Sequence, residues 1–297
     1  MSELEEQFLN LNLCKRIGII GCGVMGLSIA QQLKGCFDIH VFDKETSKIS
    51  SLSDIKAAKN ISALINSAST IILAIKPQDF YTVLNEISND KLWLPQDAIF
   101  ISIAAGIPTT TIENALEGAR VIRVMPNIGL KIGQGVSCLA KGKYASKEDF
   151  DFAVNLFKYM GQTLRIEESL MDAATAVSGS GPGFFYELLE RNHIKSTDTD
   201  GVDTFTKTIF IPELQSVAQK IGFFEEQAKF LAMSTATSSI SLLKKTKSYP
   251  SELKKQVTSK GGTTEAGLEV LQKGGSLEGA VKAALKRAEE LSKKEKV

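Results

Sequence analysis

The stretch Arg16–Gly26 reads RIGIIGCGVMG, and it decides the fold. Arg16 to Ile20 is a short β-branched run of the kind that forms a strand, and Val24 to Leu33 carries apolar residues at helical spacing. Between them lies Gly21-Cys22-Gly23-Val24-Met25-Gly26, a GxGxxG turn set directly after a strand and opening a helix. Gly21 makes the tight turn, Gly23 lets the backbone approach a pyrophosphate, and Gly26 allows the helix to pack closely on the strand. Val24 and Met25 begin a helix N-terminus with free N–H groups and positive dipole. A βα turn without a ligand needs small residues but not three glycines at this spacing. The motif therefore predicts a dinucleotide site.

Working outward, a second strand, Ile39 to Phe42, ends on Asp43, 22 residues after Gly21. That is near the ~20 expected of an acid that hydrogen-bonds the 2′-hydroxyl of a ribose, which tilts the cofactor toward NADH. Against this, Lys44, Ser47 and Lys48 can embrace the 2′-phosphate of NADPH, and Asp43 can equally be a turn or capping residue. Further strands are expected at Thr70 to Ile75, Ala98 to Ile103, Val121 to Val124, Val136 to Leu139 and Thr163 to Ile166. Helices are expected at Ser47 to Ala57, Tyr81 to Ile87 and Glu148 to Met160. Alternating strands and helices imply an α/β domain with a doubly wound parallel sheet over residues 14–166, preceded by a short extension over 1–13. Lys76, with Pro77 behind it, follows a strand at its carboxyl end, where ligands bind in open sheets.

From residue 167 strand-like runs largely disappear. Helical spacing dominates in Ser169 to Ala176, Pro182 to Leu189, Glu213 to Ile221, Glu225 to Leu243, Ser251 to Val257, Thr264 to Lys273 and Leu277 to Lys294, so 167–297 should be an all-helical second domain. Its long helix carries Ala228, Ala232, Ser234, Ala236, Ser238, Ser239 and Ser241, fit for close helix approach at a subunit interface or within one core. Residues 191–211 (RNHIKSTDTDGVDTFTKTIFI) are polar and Thr-rich, and read as a loop or insertion.

Composition narrows the partners. A chain of 297 residues, 43% hydrophobic, with 35 Lys plus Arg against 34 Asp plus Glu, can bury two cores and offers no electrostatic footprint for nucleic acid or an acidic membrane. No run approaches the ~18 apolar residues a membrane helix requires. Four cysteines without a CxxC pair and two histidines argue against a metal site, and point to a reducing cytoplasm. His40 lies within a strand and His193 in the polar segment, so proton handling is not expected to rest on histidine. Two clusters in the helical half offer backbone N–H groups and hydroxyls at helix starts: Ser178-Gly179-Ser180-Gly181-Pro182-Gly183 and Val257-Thr258-Ser259-Lys260-Gly261-Gly262-Thr263-Thr264. Either alone can be a linker or N-cap; together they suit a small carboxylate substrate.

With these pieces assembled, the chain resembles the pyrroline-5-carboxylate reductases from Lys15 to about Lys286. The matching stretches are IGIIGCGVMG, AIKPQ at Ala74 to Gln78, SIAAGI at Ser102 to Ile107, RVMPN at Arg123 to Asn127, EESLMDAATAVSGSGP at Glu167 to Pro182 and YPSELKKQVTSKGGTTEAGLEVL at Tyr249 to Leu271. The resemblance implies a dinucleotide-binding Rossmann domain followed by a helical dimerisation domain. It implies an oxidoreductase of proline biosynthesis that moves a hydride from NADH or NADPH to the imine carbon of 1-pyrroline-5-carboxylate. It also implies that Ser259 and Thr264 act in catalysis, that Gly261, Gly262, Thr263, Ser178 and Ser180 bind substrate, and that Gly21 to Gly26, Ala74, Lys76, Pro77, Ala104 and Asn127 line the cofactor. The helical half would form a homodimer, with a ring of dimers as a further assembly. Three departures stand out: Ile128-Gly129 where the family has Thr-Pro, Lys260 where it has proline, and the 191–211 segment. They leave open a reductase of another small imino or keto acid, and a cofactor-binding sensor without turnover.

Overall fold

A computed structural model describes residues 16–49, 54–89, 95 and 97–294. The extension expected over 1–13 lies outside the described residues. By packing, the described chain forms two compact units, one within Met1–Ala104, Pro108–Val124 and Lys141–Tyr159, the other within Ala105–Ile107, Met125–Ala140 and Met160–Val297.

Among the described residues eight strands form one sheet: β1 (Arg16–Ile20), β2 (Asp38–Phe42), β3 (Lys56–Ala57), β4 (Thr70–Leu73), β5 (Ile99–Ser102), β6 (Arg120–Pro126), β7 (Gly135–Lys141) and β8 (Gly161–Arg165), in the order β3-β2-β1-β4-β5-β6-β7-β8. β1 pairs in parallel with β2 on one side, Ile19 opposite Val41, and with β4 on the other, Ile19 opposite Ile72. The chain order thus reverses at β1, and a crevice opens beyond the carboxyl ends of β1 and β4. Ile17, Ile19, Ile20, Ile71, Ile72 and Leu73 are all buried, as strands covered on both faces require. Helix α1 (Val24–Leu33) buries Gly26, Ile29, Ala30 and Leu33 at helical spacing. Two short helices absent from the sequence reading follow: α2 (Ile61–Ser67), started by the Asn60 side chain accepting from the Ala63 N–H, and α4 (Thr109–Ala115). Between them α3 (Pro77–Asn89) exceeds the expected helix at both ends, and α5 (Lys147–Lys158) opens on a Ser146–Asp149 capping box.

The helix expected over 47–57 does not form in its described parts. Thr46–Lys48 is a single 3₁₀ turn and Lys56–Ala57 pairs with His40 and Val41 at the sheet edge. Its residues 50–53 lie outside the described residues.

In the second unit α6 (Met171–Ala174) runs through a π-helical turn, Thr175–Gly179, into α7 (Gly181–Arg191). The loop expected over 191–211 is corrected: only 192–198 is non-helical. Asp198 caps α8 (Thr199–Phe205), which passes through a second π turn, Thr206–Phe210, into α9 (Ile211–Lys220). Two physical reasons hid it. The π turn inserts a residue into the 3.6 period, and the Thr206 and Thr208 hydroxyls return to the Val202 and Thr204 carbonyls, so polar residues sit without protest in a helix. Phe205 and Phe210 pack on Phe185 with centroids 6.0 and 5.0 Å apart. α10 (Glu225–Thr246), α11 (Pro250–Val257), α12 (Thr263–Gln272) and α13 (Leu277–Lys294) complete the unit. The small residues of α10 serve close approach within this unit: a Cβ added at Gly181 would stand 2.7 Å from Thr235 Cγ2, and one at Gly129 2.7 Å from Ser238 Cβ. Gly129 is therefore the residue that lets the Asn127 turn lie against α10.

Candidate active site

In the first unit the glycine turn is built from backbone contacts. Gly21 has φ +100, and a Cβ there would stand 2.5 Å from the Ala74 carbonyl oxygen; at Gly26 it would stand 2.0 Å from the Gly21 oxygen. At Gly23 a Cβ would meet nothing within 4 Å. Two glycines are thus required by the protein itself, whereas Gly23 faces open space, as a backbone that must admit a phosphate should. Gly23 also caps α1 without a side-chain hydrogen bond, so the N–H groups of the first turn point out unsatisfied.

The adjoining cleft holds about 330 Å³. Gly21, Gly23, Asp43, Lys44, Ala74 and Lys76 line it, so six of the expected cofactor residues converge there. Val24 is half exposed and Met25 partly buried; Pro77 is the first residue of α3, and Ala104 is buried, its N–H 3.3 Å from Ser102 Oγ. Glu45, next to Lys44, also lines the cleft, as do Thr82 and Glu86, which nothing in the local sequence marks because α3 is brought to the cleft by the fold rather than by nearness in sequence. Asp43 is nine-tenths buried. Its Oδ2 accepts the Cys22 N–H at 2.6 Å and its Oδ1 the Glu45 N–H at 2.8 Å. The acid is therefore both a wall of the cleft and a brace of the glycine turn. Burial pushes the Cys22 thiol up to about 12, the Asp43 charge adds to the rise, and Lys48 opposes it.

In the second unit the two small-residue clusters meet. Ser180 Oγ lies 3.0 Å from Thr263 Oγ1 and accepts the Thr264 hydroxyl at 3.2 Å. α12 begins at Thr263 with Gly262 as an N-cap that makes no side-chain bond, so the first-turn N–H groups are open beside these hydroxyls. Ser178 Oγ is fully buried in the π turn and has no hydrogen-bond partner among the described residues. Gly183 permits the approach, since a Cβ there would stand 2.6 Å from Thr264 Cγ2. Gly262 takes its N–H to the Ser259 carbonyl at 2.9 Å, and a Cβ on it would strike Ser259 Oγ at 2.3 Å. Ser259, Lys260 and Gly261 are exposed.

Asn127, also in this unit, is occupied differently from expectation. Its amide donates to Ser238 Oγ at 2.9 Å and accepts from the Gly129 and Val136 N–H groups at 3.1 Å each. The side chain holds its own turn together. His40 likewise makes structural contacts, with Ser67 Oγ at 3.2 Å and Asp38 at 3.3 Å.

Comparison with known proteins agrees with both halves. Residues 206–295 match the family model described as pyrroline-5-carboxylate reductase dimerisation, and residues 16–106 match one described as NADP oxidoreductase, coenzyme F420-dependent. The chain is 33% identical to a pyrroline-5-carboxylate reductase of Methanosarcina acetivorans over 94% of this chain and 99% of that one. It is 31% identical to that of Aquifex aeolicus over 95% and 98%. Among solved structures, the 1-pyrroline-5-carboxylate reductase of Streptococcus pyogenes matches with a TM-score of 0.58 at 27% identity, covering 94% of this chain and 98% of that one.

Proposed function

This chain belongs to the pyrroline-5-carboxylate reductase family, and on that premise we propose how its own residues carry out the NAD(P)H-dependent reduction of 1-pyrroline-5-carboxylate to L-proline. The observation that carries the reading is the meeting of Ser180, Thr263 and Thr264 beside the uncapped start of α12. A helix N-terminus with open N–H groups and convergent hydroxyls suits a small carboxylate without an arginine. In this reading the substrate carboxylate takes the N–H groups of Thr263 and Thr264 and the hydroxyls of Ser259 and Thr263, while Gly261 and Gly262 shape the loop. Ser178 and Ser180 complete the floor, the unpartnered Ser178 hydroxyl serving as a donor in reserve.

Gly21 to Gly26, Asp43, Lys44, Ala74, Lys76, Pro77 and Ala104 hold the dinucleotide, which supplies the hydride when bound. The open space at Gly23 and the uncapped α1 support that fit. Asn127 acts through the turn it holds rather than by side-chain contact. A cyclic imine arrives already protonated as an iminium, so positioning supplies most of the acceleration and little acid catalysis is required. Thr264 Oγ1, its proton directed to Ser180, keeps lone pairs free to accept the iminium N–H. This gives Thr264 its role in orienting the ring.

We favour NADH over NADPH. The charged groups lining the cleft are Asp43, Glu45, Asp79 and Glu86 against Lys44, Lys48 and Lys76. Lys44 is paired with Asp79 at 2.8 Å and Lys48 with Glu45 at 2.9 Å. An acidic balance with two of three lysines engaged disfavours an added phosphate. We also take the protein to be a homodimer through its helical half, with the ring of dimers as the next assembly, and cytoplasmic, in keeping with free Cys22, Cys36 and Cys138. The test is loss of 340 nm absorbance with 1-pyrroline-5-carboxylate, in parallel with NADH and NADPH, with the product identified. Formation of L-proline, faster with NADH, is the expected result; cofactor binding without oxidation would return the reading of another small imino or keto acid as substrate, or that of the sensor.

A further inference from the structure

The loop that precedes α12 is gripped from both sides at one residue. Gly261 donates its N–H to Glu265 Oε2 at 2.6 Å, and its carbonyl accepts Arg287 Nε at 2.8 Å. Arg287 reaches across from α13 and is held in turn by Glu290, its Nη1 3.1 Å from Glu290 Oε2. The residue so held has φ +70, in the left-handed region, so its two peptide groups stand in an orientation that an unrestrained chain would share with others. The next residue, Gly262, is the N-cap of α12; its own N–H is taken by the Ser259 carbonyl at 2.9 Å, and the open N–H groups begin with Thr263.

We propose that Arg287 and Glu265 are positioning residues for substrate binding: by fixing both peptide groups of Gly261 they hold the Gly262 N-cap in place and so set the direction of the N–H groups of Thr263 and Thr264 before the substrate arrives. This rests on the carboxylate reading of the loop. Three features distinguish the grip from an ordinary surface contact. Both bonds are charge-assisted and short, which makes them among the stronger hydrogen bonds available to a backbone. Both end on the same residue, so neither can be lost without freeing one of its peptide planes. The donor Nε belongs to a planar guanidinium on a helix, a fork that holds direction better than a lysine ammonium would. A pre-shaped loop spares the substrate the cost of ordering it, so the benefit appears in affinity. Glu265 also brings a negative charge to the helix start that the substrate carboxylate must approach. A neutral glutamine there can still accept the Gly261 N–H, which separates the two effects.

The experiment is steady-state kinetics of full-length Arg287→Ala, Arg287→Lys, Glu265→Ala and Glu265→Gln, beside Thr264→Ala, with thermal melts for each. Arg287→Ala and Glu265→Ala are expected to raise KM for 1-pyrroline-5-carboxylate about tenfold, the scale of one charge-assisted hydrogen bond, with kcat within about twofold and KM for NADH unchanged. Arg287→Lys should recover part of the loss, and Glu265→Gln should match or better the wild-type KM. If Arg287→Ala does not fold, the Glu265 pair carries the test alone. Unchanged substrate KM in both alanine variants, or an equal rise in KM for NADH, would overturn the proposal. Thr264→Ala separates the two levels. If it raises the substrate KM while the grip variants do not, only the grip is wrong; if it too leaves that KM unchanged, the carboxylate reading itself falls.

Discussion

The carboxylate of Asp43 accepts the backbone N–H of Cys22 at 2.6 Å, so the acid at the end of β2 is tied to the middle of the glycine turn 21 residues earlier. Cofactor preference and turn stability thereby share one side chain. Replacing Asp43 by serine removes both backbone acceptances and a charge from the cleft wall, and leaves Lys48 without its 3.6 Å neighbour. We expect the NADH to NADPH ratio of kcat/KM to fall at least about fivefold and stability to drop by about 1–3 kcal/mol, the cost of an unpaired buried N–H. Rates with the two cofactors and a thermal melt check this. An unchanged ratio with a lowered melting temperature would leave Asp43 a brace only.

The glycines of the turn give a paired prediction. Gly26→Ala drives a methyl to 2.0 Å from a backbone oxygen that cannot step aside, so the protein should lose about 1–3 kcal/mol or fail to fold. Gly23→Ala meets nothing and should melt like the wild type while its KM for NADH rises at least about tenfold. Melting temperature and KM, read together for both variants, separate a ligand-facing glycine from a packing one.

This division of labour was legible in the sequence because GxGxxG sits between a strand and a helix whose periods are both unmistakable. The doubly wound α/β class followed from the same alternation, though not the order of the strands, whose edge strand Lys56–Ala57 was read as helix. What could not be read were α2 and α4, seven residues each, too short for a period to declare itself. The helix α8 was hidden by the π turn that joins it to α9, whereas α9 itself was read from its spacing. In the site, the sequence offered two hydroxyl-rich clusters, but Ser180 and Thr264 are 84 residues apart and only the packing of α7 on α12 joins them. Asn127 was expected at the cofactor, and its side chain holds its own turn, since local sequence does not reveal where an amide spends its bonds.

The Cys22 thiol, buried and raised to about 12 from an ordinary value of 9.0, should resist alkylation. So raised, it holds far less thiolate at pH 8 than an exposed cysteine does, whereas Cys36 is exposed. Peptide mapping after brief iodoacetamide treatment should find Cys36 modified and Cys22 intact. Modification of Cys22 at a comparable rate would show that the turn opens.

Lys254 on α11 bridges Glu187 and Glu190 on α7 at 2.6 and 2.5 Å, clasping the two elements that lead into the site. Desolvation pulls its pKa down, but the hydrogen bonds and charges of the two glutamates outweigh it and the net shift is upward. A raised lysine contributes stability that is complete below its ordinary value of 10.5 and is lost as pH rises through its folded value. Lys254→Met should therefore cost about 1–3 kcal/mol at pH 7, leaving two carboxylates facing each other. The difference from wild type should shrink toward strongly alkaline pH. Melts across that range would reveal a constant difference if packing rather than charge were responsible.

The central claim is that the open start of α12, with Thr264 and Ser180, receives the substrate. The most direct measurement is the kinetics of Thr264→Ala with 1-pyrroline-5-carboxylate, alongside cofactor affinity measured by binding. The account predicts a loss of at least about tenfold in kcat/KM for the imine with cofactor affinity within about twofold of wild type. A variant that reduces the imine normally, or that fails because it no longer binds cofactor, would contradict it.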